Sequence, residues 1–483
     1  MKGNFKKIAP WIVLILIIAG FAVWYFLSNR ISASENVSYE EKISEGDSKY
    51  SNKDYAGAMV DYYGAVDIIP TRIDAFKGII QVLLDKNRPD HALSILDQSG
   101  QKLNQNDQAS LYVLIGNAYF TQGEYDKALS TYQKGQGLGV NNQDLELAIG
   151  KAYLKEGNLE GATSQFEKNI YTDQNQSEAV LLLSYIQSVT DTNKAKESLA
   201  EVNPTDKWKS YFDEFSTVLA SLNTDTKFNA VKLARIYINN GYPYLTVSIL
   251  EPLEGQVSEY LDGLYFLGRG YFEVGQYDKS ITELDKAITL GGSEYSILWT
   301  EARDYLMKND LNNALNCYSK ALGYQGKTPS QDLVSEYLDI LLQNNQTLKA
   351  DQIVQSVAAN MSSAYIYLYG VKVNDAVSNT QKIDYYISAL EKITLTTDES
   401  KEYLYWKTKE LLDQNGDITE IQNSLSDLLK IDRYNPKYYL LYGRYEFEQG
   451  NAVDAATAFK QAINYDTNNS VTDEASRLLS SVD

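Results

Sequence analysis

The stretch Ile115-Gly-Asn-Ala-Tyr119-Phe-Thr-Gln-Gly123-Glu-Tyr125-Asp-Lys-Ala128-Leu-Ser-Thr-Tyr132 decides how the rest of the chain is read. Gly116 and Tyr119 lie one helical turn apart, Gly123 follows where a helix would end, and Ala128 and Tyr132 again lie one turn apart. That spacing describes two helices joined by a tight turn. Gly116 on the first helix and Ala128 on the second are small where the two must approach closely, and Tyr119 and Tyr132 fill the space between. Gly123 supplies the left-handed backbone of the turn.

Thirty-four residues on, the pattern returns as Ile149-Gly150-x-x-Tyr153, Gly157, Ala162 and Phe166, and it appears again as Leu267-Gly268-x-x-Tyr271, Gly275 and Ala287. Less complete copies occupy much of the remaining chain. They run through Gly46, Tyr55, Ala58, Tyr62, Ala65 and Pro70, then Ala92, then Ala234, Tyr237 and Gly241. Ala302, Tyr305, Ala314, Tyr318 and Ala321 make another, and Gly443, Gly450, Ala455, Phe459 and Ala462 the last. Asn87, Gly123, Gly157, Gly241, Gly275, Asn309, Asn345, Gly416 and Gly450 recur after the first helices even where the rest of the pattern fades. Pro70, Pro204, Pro329 and Pro436 stand at the junctions, where a helix must stop.

In these residues the chain resembles the tetratricopeptide repeat family, with about twelve repeats between Tyr39 and Asn469. The resemblance is clear over 39–174 and 227–326 and looser over 175–226 and 327–435. It implies an all-α fold, an α-solenoid of antiparallel helix pairs wound into a right-handed superhelix. The array is expected to divide into an N-terminal part (39–226), a central part (227–326) and a divergent C-terminal part (327–469). Val471, Ala475, Leu478, Leu479 and Val482 form one apolar stripe, so 470–483 is expected to be a helix capping the last repeat.

The resemblance also implies that the first helices line a groove for a peptide or a partner protein. In that register Arg235, Arg269 and Arg303 take the same groove-facing position in three successive repeats, with Lys151 and Arg444 at that position elsewhere. Val231, Tyr265 and Trp299 precede the arginines by a turn, and Ile238, Phe272 and Leu306 follow three residues later. This basic stripe is expected to hold an extended acidic ligand, guanidinium groups gripping carboxylates and the aromatic neighbours adding apolar area. The competing reading is that each Arg neutralises acids of the array itself, such as Asp262 and Glu273.

Ahead of the repeats, Ile8 to Leu27 is an unbroken apolar run of the length that crosses a bilayer as a helix. Trp11 near one end and Trp24 and Tyr25 near the other suit the headgroup level. Lys2, Lys6 and Lys7 precede the run, whereas Glu35, Glu40 and Glu41 soon follow Arg30. The expectation is a cytoplasmic stub (1–7), a transmembrane helix (8–27), a flexible polar stalk (28–38) and an array outside the cytoplasm. The rival is a cleaved signal peptide, for which Ser32-Ala33-Ser34 is a weak processing site.

Formal charge is −20, and the first thirty residues hold four cations and no acid, so the array is more acidic still. Such a surface repels polyanions, which argues against nucleic acid and anionic lipid as partners. The single cysteine, Cys317, makes no internal disulfide, and the single histidine, His91, stands beside Ala92 on a second helix. Gly135-Gln-Gly137-Leu-Gly139 follows a helix where a nucleotide loop follows a strand. Asp413-Gln-Asn415-Gly-Asp417 lacks the glycine and glutamate positions of a calcium loop. No catalytic residue, cofactor or metal is therefore expected. The sequence reads as a non-enzymatic, membrane-anchored scaffold that binds protein or peptide at the cell envelope. The alternative is an envelope-biogenesis component that handles an anionic polymer or glycan, or an accessory subunit of a synthase.

Overall fold

A computed structural model describes residues 33–170, 176–292, 295–325, 328–466 and 469–482, and the regular elements among them are all helical. These residues fall into two compact bodies, one ending at Leu253 and the other beginning at Glu254. That division lies inside the stretch 227–326, which the sequence presents as one segment.

The N-terminal body pairs α1 (Ala33–Ser51) with α2 (Tyr55–Ile68), α3 (Ile73–Asp85) with α4 (Pro89–Ser99), and α5 (Gln105–Thr121) with α6 (Tyr125–Gln136). It continues with α7 (Gln143–Lys155) and α8 (Leu159–Asn169), then α9 (Gln176–Ser188) and α10 (Thr192–Ala200). A single helix, α11 (Asp206–Ala220), precedes the last pair, α12 (Thr226–Asn239) and α13 (Pro243–Leu250). The C-terminal body opens on one turn, α14 (Glu254–Val257), followed by α15 (Leu261–Glu273) with α16 (Tyr277–Thr289) and α17 (Tyr295–Met307) with α18 (Leu311–Tyr324). Next come α19 (Gln331–Gln343) with α20 (Thr347–Ala358), α21 (Ala364–Asp375) with α22 (Thr380–Leu390), and α23 (Thr397–Asp413) with α24 (Ile418–Ile431). The pair α25 (Pro436–Glu448) and α26 (Ala452–Tyr465) is closed by α27 (Thr472–Leu479), whose Ala475, Leu478 and Leu479 pack with Ala455, Phe459 and Ala462.

One turn chemistry builds most of these pairs. Between α5 and α6 the N–H of Glu124 donates to the Tyr119 carbonyl at 3.0 Å and that of Gly123 to Phe120 at 3.1 Å, with Gly123 at φ +77°. The two bonds satisfy carbonyls that the end of the first helix would leave unpaired, and they reverse the chain. The first of these, which spans five residues, recurs at 2.8 Å from Arg88 to Leu83, Asn158 to Tyr153, Gln276 to Tyr271, Gln346 to Leu341 and Asn451 to Glu446.

The left-handed residue is the expected Gly or Asn at most turns, with one correction: between α23 and α24 it is Asn415, φ +53°, and not Gly416. Lys53 (φ +60°) and Ser378 (φ +53°) fill the same place between α1 and α2 and between α21 and α22. Packing of the paired helices imposes the turn there on residues with no preference for it, at a cost of roughly 1–2 kcal/mol each.

Inside the pairs, small and large positions interlock. A Cβ on Gly116 would lie 2.2 Å from Tyr132 Cε1, one on Gly150 2.6 Å from Phe166 Cε1, and one on Gly443 2.5 Å from Phe459 Cε1. In each case the ring lies sixteen residues after the glycine. Gly370 and Tyr386 form a further such pair, at 2.6 Å, in a hairpin whose other signature positions have drifted.

Helix α1 starts at Ala33, so the second half of the stretch read as a stalk (28–38) is helical. Arg72 accounts for this: it stacks on the Tyr39 ring at 4.3 Å and reaches Asn36 at 3.3 Å and Glu40 at 2.6 Å. The apolar run Ile8–Leu27 lies outside the described residues. Among the described residues, no helix is long and apolar enough to cross a membrane.

On α17, two carboxyl groups are buried on the core side. Asp304 takes a 2.7 Å hydrogen bond from Ser280 on one oxygen and has no partner on the other, and Glu301 lies near Asp285, Cys317 and Lys320. Burial pushes both up to about 7, with Asp285 adding to the effect at Glu301 and Lys308 opposing it at Asp304. Because the folded values lie above the unfolded ones, their contribution to stability is full below about pH 4 and is lost as pH rises toward 7. The C-terminal body is expected to melt on the order of 5 °C higher at pH 5 than at pH 8 in differential scanning calorimetry. The double variant Glu301→Gln, Asp304→Asn should flatten that dependence; an unchanged slope would place its origin elsewhere.

Candidate functional site

Within each body, first helices of neighbouring hairpins lie side by side, and open clefts run between them. Helices α5, α7 and α9 enclose one of about 280 Å³, with Val113, Asn117, Phe120 and Leu147 along it and Lys151 and Glu178 facing at 2.6 Å. Helices α19, α21 and α23 enclose another of about 320 Å³, lined by Tyr365, Leu368, Tyr369 and Lys372 together with acids of α23. A wider opening of about 640 Å³ lies at the hairpin turns of the N-terminal body, where Lys127 and Lys155 face Glu124, Asp126 and Glu156.

The same helix faces carry a ladder of ion pairs that the sequence did not reveal. In the C-terminal body Arg303 of α17 meets Glu336 of α19, Asp339 of α19 meets Lys372 of α21 at 2.7 Å, and Asp375 of α21 meets Lys409 of α23 at 2.6 Å. Asp413 of α23 then meets Arg444 of α25. Each pair links one hairpin to the next. Along this ladder Glu336 is a hub: the Arg303 Nε–H donates to Oε1 at 2.9 Å and the Trp299 indole N–H to Oε2 at 3.0 Å, and the Tyr318 hydroxyl also donates to Oε1. The Arg303 guanidinium stacks on Trp299 at 4.3 Å. Burial alone would raise the Glu336 carboxyl, but the bonds from Arg303, Tyr318 and Trp299 outweigh it and hold the group below the ordinary carboxylate value. Burial and its reversal act the same way at Asp413, through Lys409 and Arg444.

The residues singled out from sequence therefore have different fates. Arg303, Arg444 and Lys151 are paired with Glu336, Asp413 and Glu178, carboxylates of adjacent first helices. Trp299 is held between Arg303 and Glu336. Tyr265 and Phe272 are half-buried, their rings packed against Phe266 at 5.4 Å and Tyr277 at 6.1 Å. Arg269 is half-buried on α15 and Arg235 exposed on α12. Arg235 belongs to the N-terminal body, Arg269 and Arg303 to the C-terminal one. Among the described residues there is no group of three or more Asp, Glu, His or Cys side chains that could hold a metal ion.

Repeated hairpins closed by the same turn and packed glycine on ring are now established in three dimensions. Residues 109–138 match the model of the tetratricopeptide repeat family. This segment spans α5 and α6 and contains Gly116, Tyr119, Gly123, Ala128 and Tyr132. Over this segment the chain is similar to a tetratricopeptide repeat. No curated protein matches it. Among solved structures it is similar to yeast Tom70, 13% identical over 93% of this chain and 96% of that one, with a TM-score of 0.33. A tetratricopeptide repeat protein from Parabacteroides merdae is 16% identical over 53% of this chain and 98% of its own, with a TM-score of 0.35. The Cut9–Hcn1 heterotetramer of the APC/C matches at 11% identity over 92% of this chain and 96% of that one, with a TM-score of 0.35. At identities and scores this low, nothing that those proteins bind passes to this chain.

Proposed function

We propose that this protein is a non-enzymatic scaffold, anchored in a membrane by Ile8–Leu27, that presents its repeats outside the cytoplasm and binds protein or peptide partners along its first helices. The observation that carries the reading is the α5, α7, α9 cleft. It exposes the partly buried apolar side chains Val113 and Phe120 beside charged Lys151 and Glu178, the mixture of apolar anchor and polar rim that protein partners use. The lysines before Ile8 and the glutamates after Arg30 support the export of the array. The arginine stripe stays in this reading in a narrower form. Arg235 is exposed and can meet an acidic group of a partner without first displacing a carboxylate of the array, which Arg303 and Arg444 cannot.

The test is crosslinking of the full chain in intact cells, with recovery of bound proteins, beside protease added from outside. The array is expected to be cleaved externally. Recovery of specific partners is expected to fall by about fivefold or more in the double variant Val113→Ala, Phe120→Ala at unchanged helical content. Protection of the array from protease would overturn the exported topology, and an unchanged set of partners would remove the cleft from the binding surface.

A further inference from the structure

The last hairpin of the N-terminal body folds back on the array. In a repeat array each hairpin ordinarily touches only the hairpins before and after it. Here the turn between α12 and α13 lies against the turn between α7 and α8, although α9, α10 and α11 come between them in the chain. Lys155, at the end of α7, donates through Nζ to the Gly241 carbonyl, 86 residues away, and the same ammonium stands 4.9 Å from the centre of the Tyr242 ring. Tyr244, in the first turn of α13, lays its ring on Gly157, where a Cβ would collide with it.

The single helix α11 accounts for the return. Its Phe215 meets Tyr185 of α9 edge to face at 4.6 Å, and the Tyr185 ring also lies 5.9 Å from Tyr237 of α12 and 5.8 Å from Tyr242. Ser188 of α9 and Tyr237 share a buried hydrogen bond of 2.7 Å. Because α11 brings no second helix, α12 packs on α9 itself, and its turn is carried back to α7. The turn is held unequally from its two sides. Tyr185, Phe215 and Tyr237 are 2%, 0% and 0% exposed, whereas Lys155 and Tyr244 are partly exposed and border the opening of about 640 Å³. Parting the Lys155 seam uncovers little apolar surface, and parting the aromatic cluster would uncover much more.

We infer that the turn between α12 and α13 is a strap across α7 and α9: it stays fixed to α9 through the Tyr185 cluster and opens from α7 at the Lys155 seam. One ammonium makes both the carbonyl bond and the contact with the Tyr242 face, so its removal releases the two together. The strap governs the cleft of Val113 and Phe120, because α7 and α9 are two of its walls. Lys151, one turn before Lys155, ties the same two helices through Glu178 at 2.6 Å. With both ties made the walls are held at a fixed spacing, and with the strap open Lys151 holds them without it. The strap goes beyond the scaffold reading and does not depend on it.

Hydrogen exchange of the full chain in detergent micelles, read by mass spectrometry, tests the strap. Lys155→Met keeps the aliphatic stem and removes the ammonium. It is expected to speed exchange by about fivefold over 239–246 and to leave α11 within about twofold of its original rate. Tyr244→Ala, made on the other side of the seam, is expected to speed exchange over 153–158 by about threefold, a reciprocal effect that mere loosening of α7 does not produce. Lys168→Met, which removes an exposed ammonium from α8, should change 239–246 by less than about twofold. Unchanged exchange over 239–246 in Lys155→Met, an equal change there in Lys168→Met, or no response over 153–158 to Tyr244→Ala would each overturn the inference. An equal rise over α11 in Lys155→Met would overturn it too, since the aromatic cluster would then be loosening together with the turn.

Discussion

Glu336→Ala is expected to destabilise the C-terminal body by about 2–3 kcal/mol. Three donors converge on that carboxylate from two helices besides its own: Arg303 and Trp299 on α17 and Tyr318 on α18. Alanine leaves a half-buried guanidinium, an indole N–H and a tyrosine hydroxyl without their acceptor, and the cost comes from those stranded groups as much as from the lost attraction. Glu336→Gln, which keeps an acceptor but not the charge, should cost less, about 1 kcal/mol. Amide hydrogen exchange read by mass spectrometry checks this: protection should fall first in α17, α18 and α19, because a repeat array unfolds locally before it unfolds as a whole. Unchanged exchange in those three helices would show that Glu336 is no hub. Acid should act in the same direction. The folded carboxyl lies below its ordinary value, so its contribution is present above about pH 4.5 and is lost as pH falls through the folded value. The same geometry rules on how the arginine stripe can be tested. Charge reversal at Arg303 would set a second carboxylate against Glu336 and unfold the hairpin junction before any ligand is in question, whereas reversal at exposed Arg235 leaves the fold intact.

Gly116→Val is expected to cost about 3 kcal/mol, because a Cβ at this position would stand 2.2 Å from Tyr132 Cε1. The ring cannot swing aside. It is 1% exposed, and its hydroxyl is tied to Asn117 at 2.7 Å. Relief should come from shrinking the partner: the double variant Gly116→Val, Tyr132→Leu is expected to be more stable than the summed single costs by about 1 kcal/mol or more. Urea denaturation of the three variants measures the coupling, and strictly additive costs would show that the valine clashes with something other than this ring.

Gly116 with Tyr132, Gly150 with Phe166 and Gly443 with Phe459 were legible before any coordinates, because both members of each pair lie within one hairpin at fixed spacing. Gly370 with Tyr386 was not, since the Leu-Gly-x-x-Tyr context around the glycine has been replaced by Tyr369-Gly370-Val371. The spacing of Arg235, Arg269 and Arg303 was equally plain, but what each would touch was not. The chain holds 64 Asp and Glu residues, and nothing in the sequence selects Glu336 from among them as the partner of Arg303. The acceptor sits on the neighbouring first helix, and only the stacking of hairpins puts it within reach.

The sequence by itself determined what is local and periodic: the helices, the left-handed turns at Gly and Asn, and the small-to-large complementarity inside each pair. Those follow from backbone sterics and from contacts a fixed number of residues apart, which a chain repeating about every 34 residues states many times over. Tertiary structure alone decided the rest. It made Lys53 and Ser378 turn like glycine, divided the repeats at Leu253 and Glu254, and consumed Arg303 and Arg444 in the ion-pair ladder. Each of these depends on which side chain of one hairpin meets which side chain of the next, and that is fixed by packing angle and burial, not by spacing along the chain.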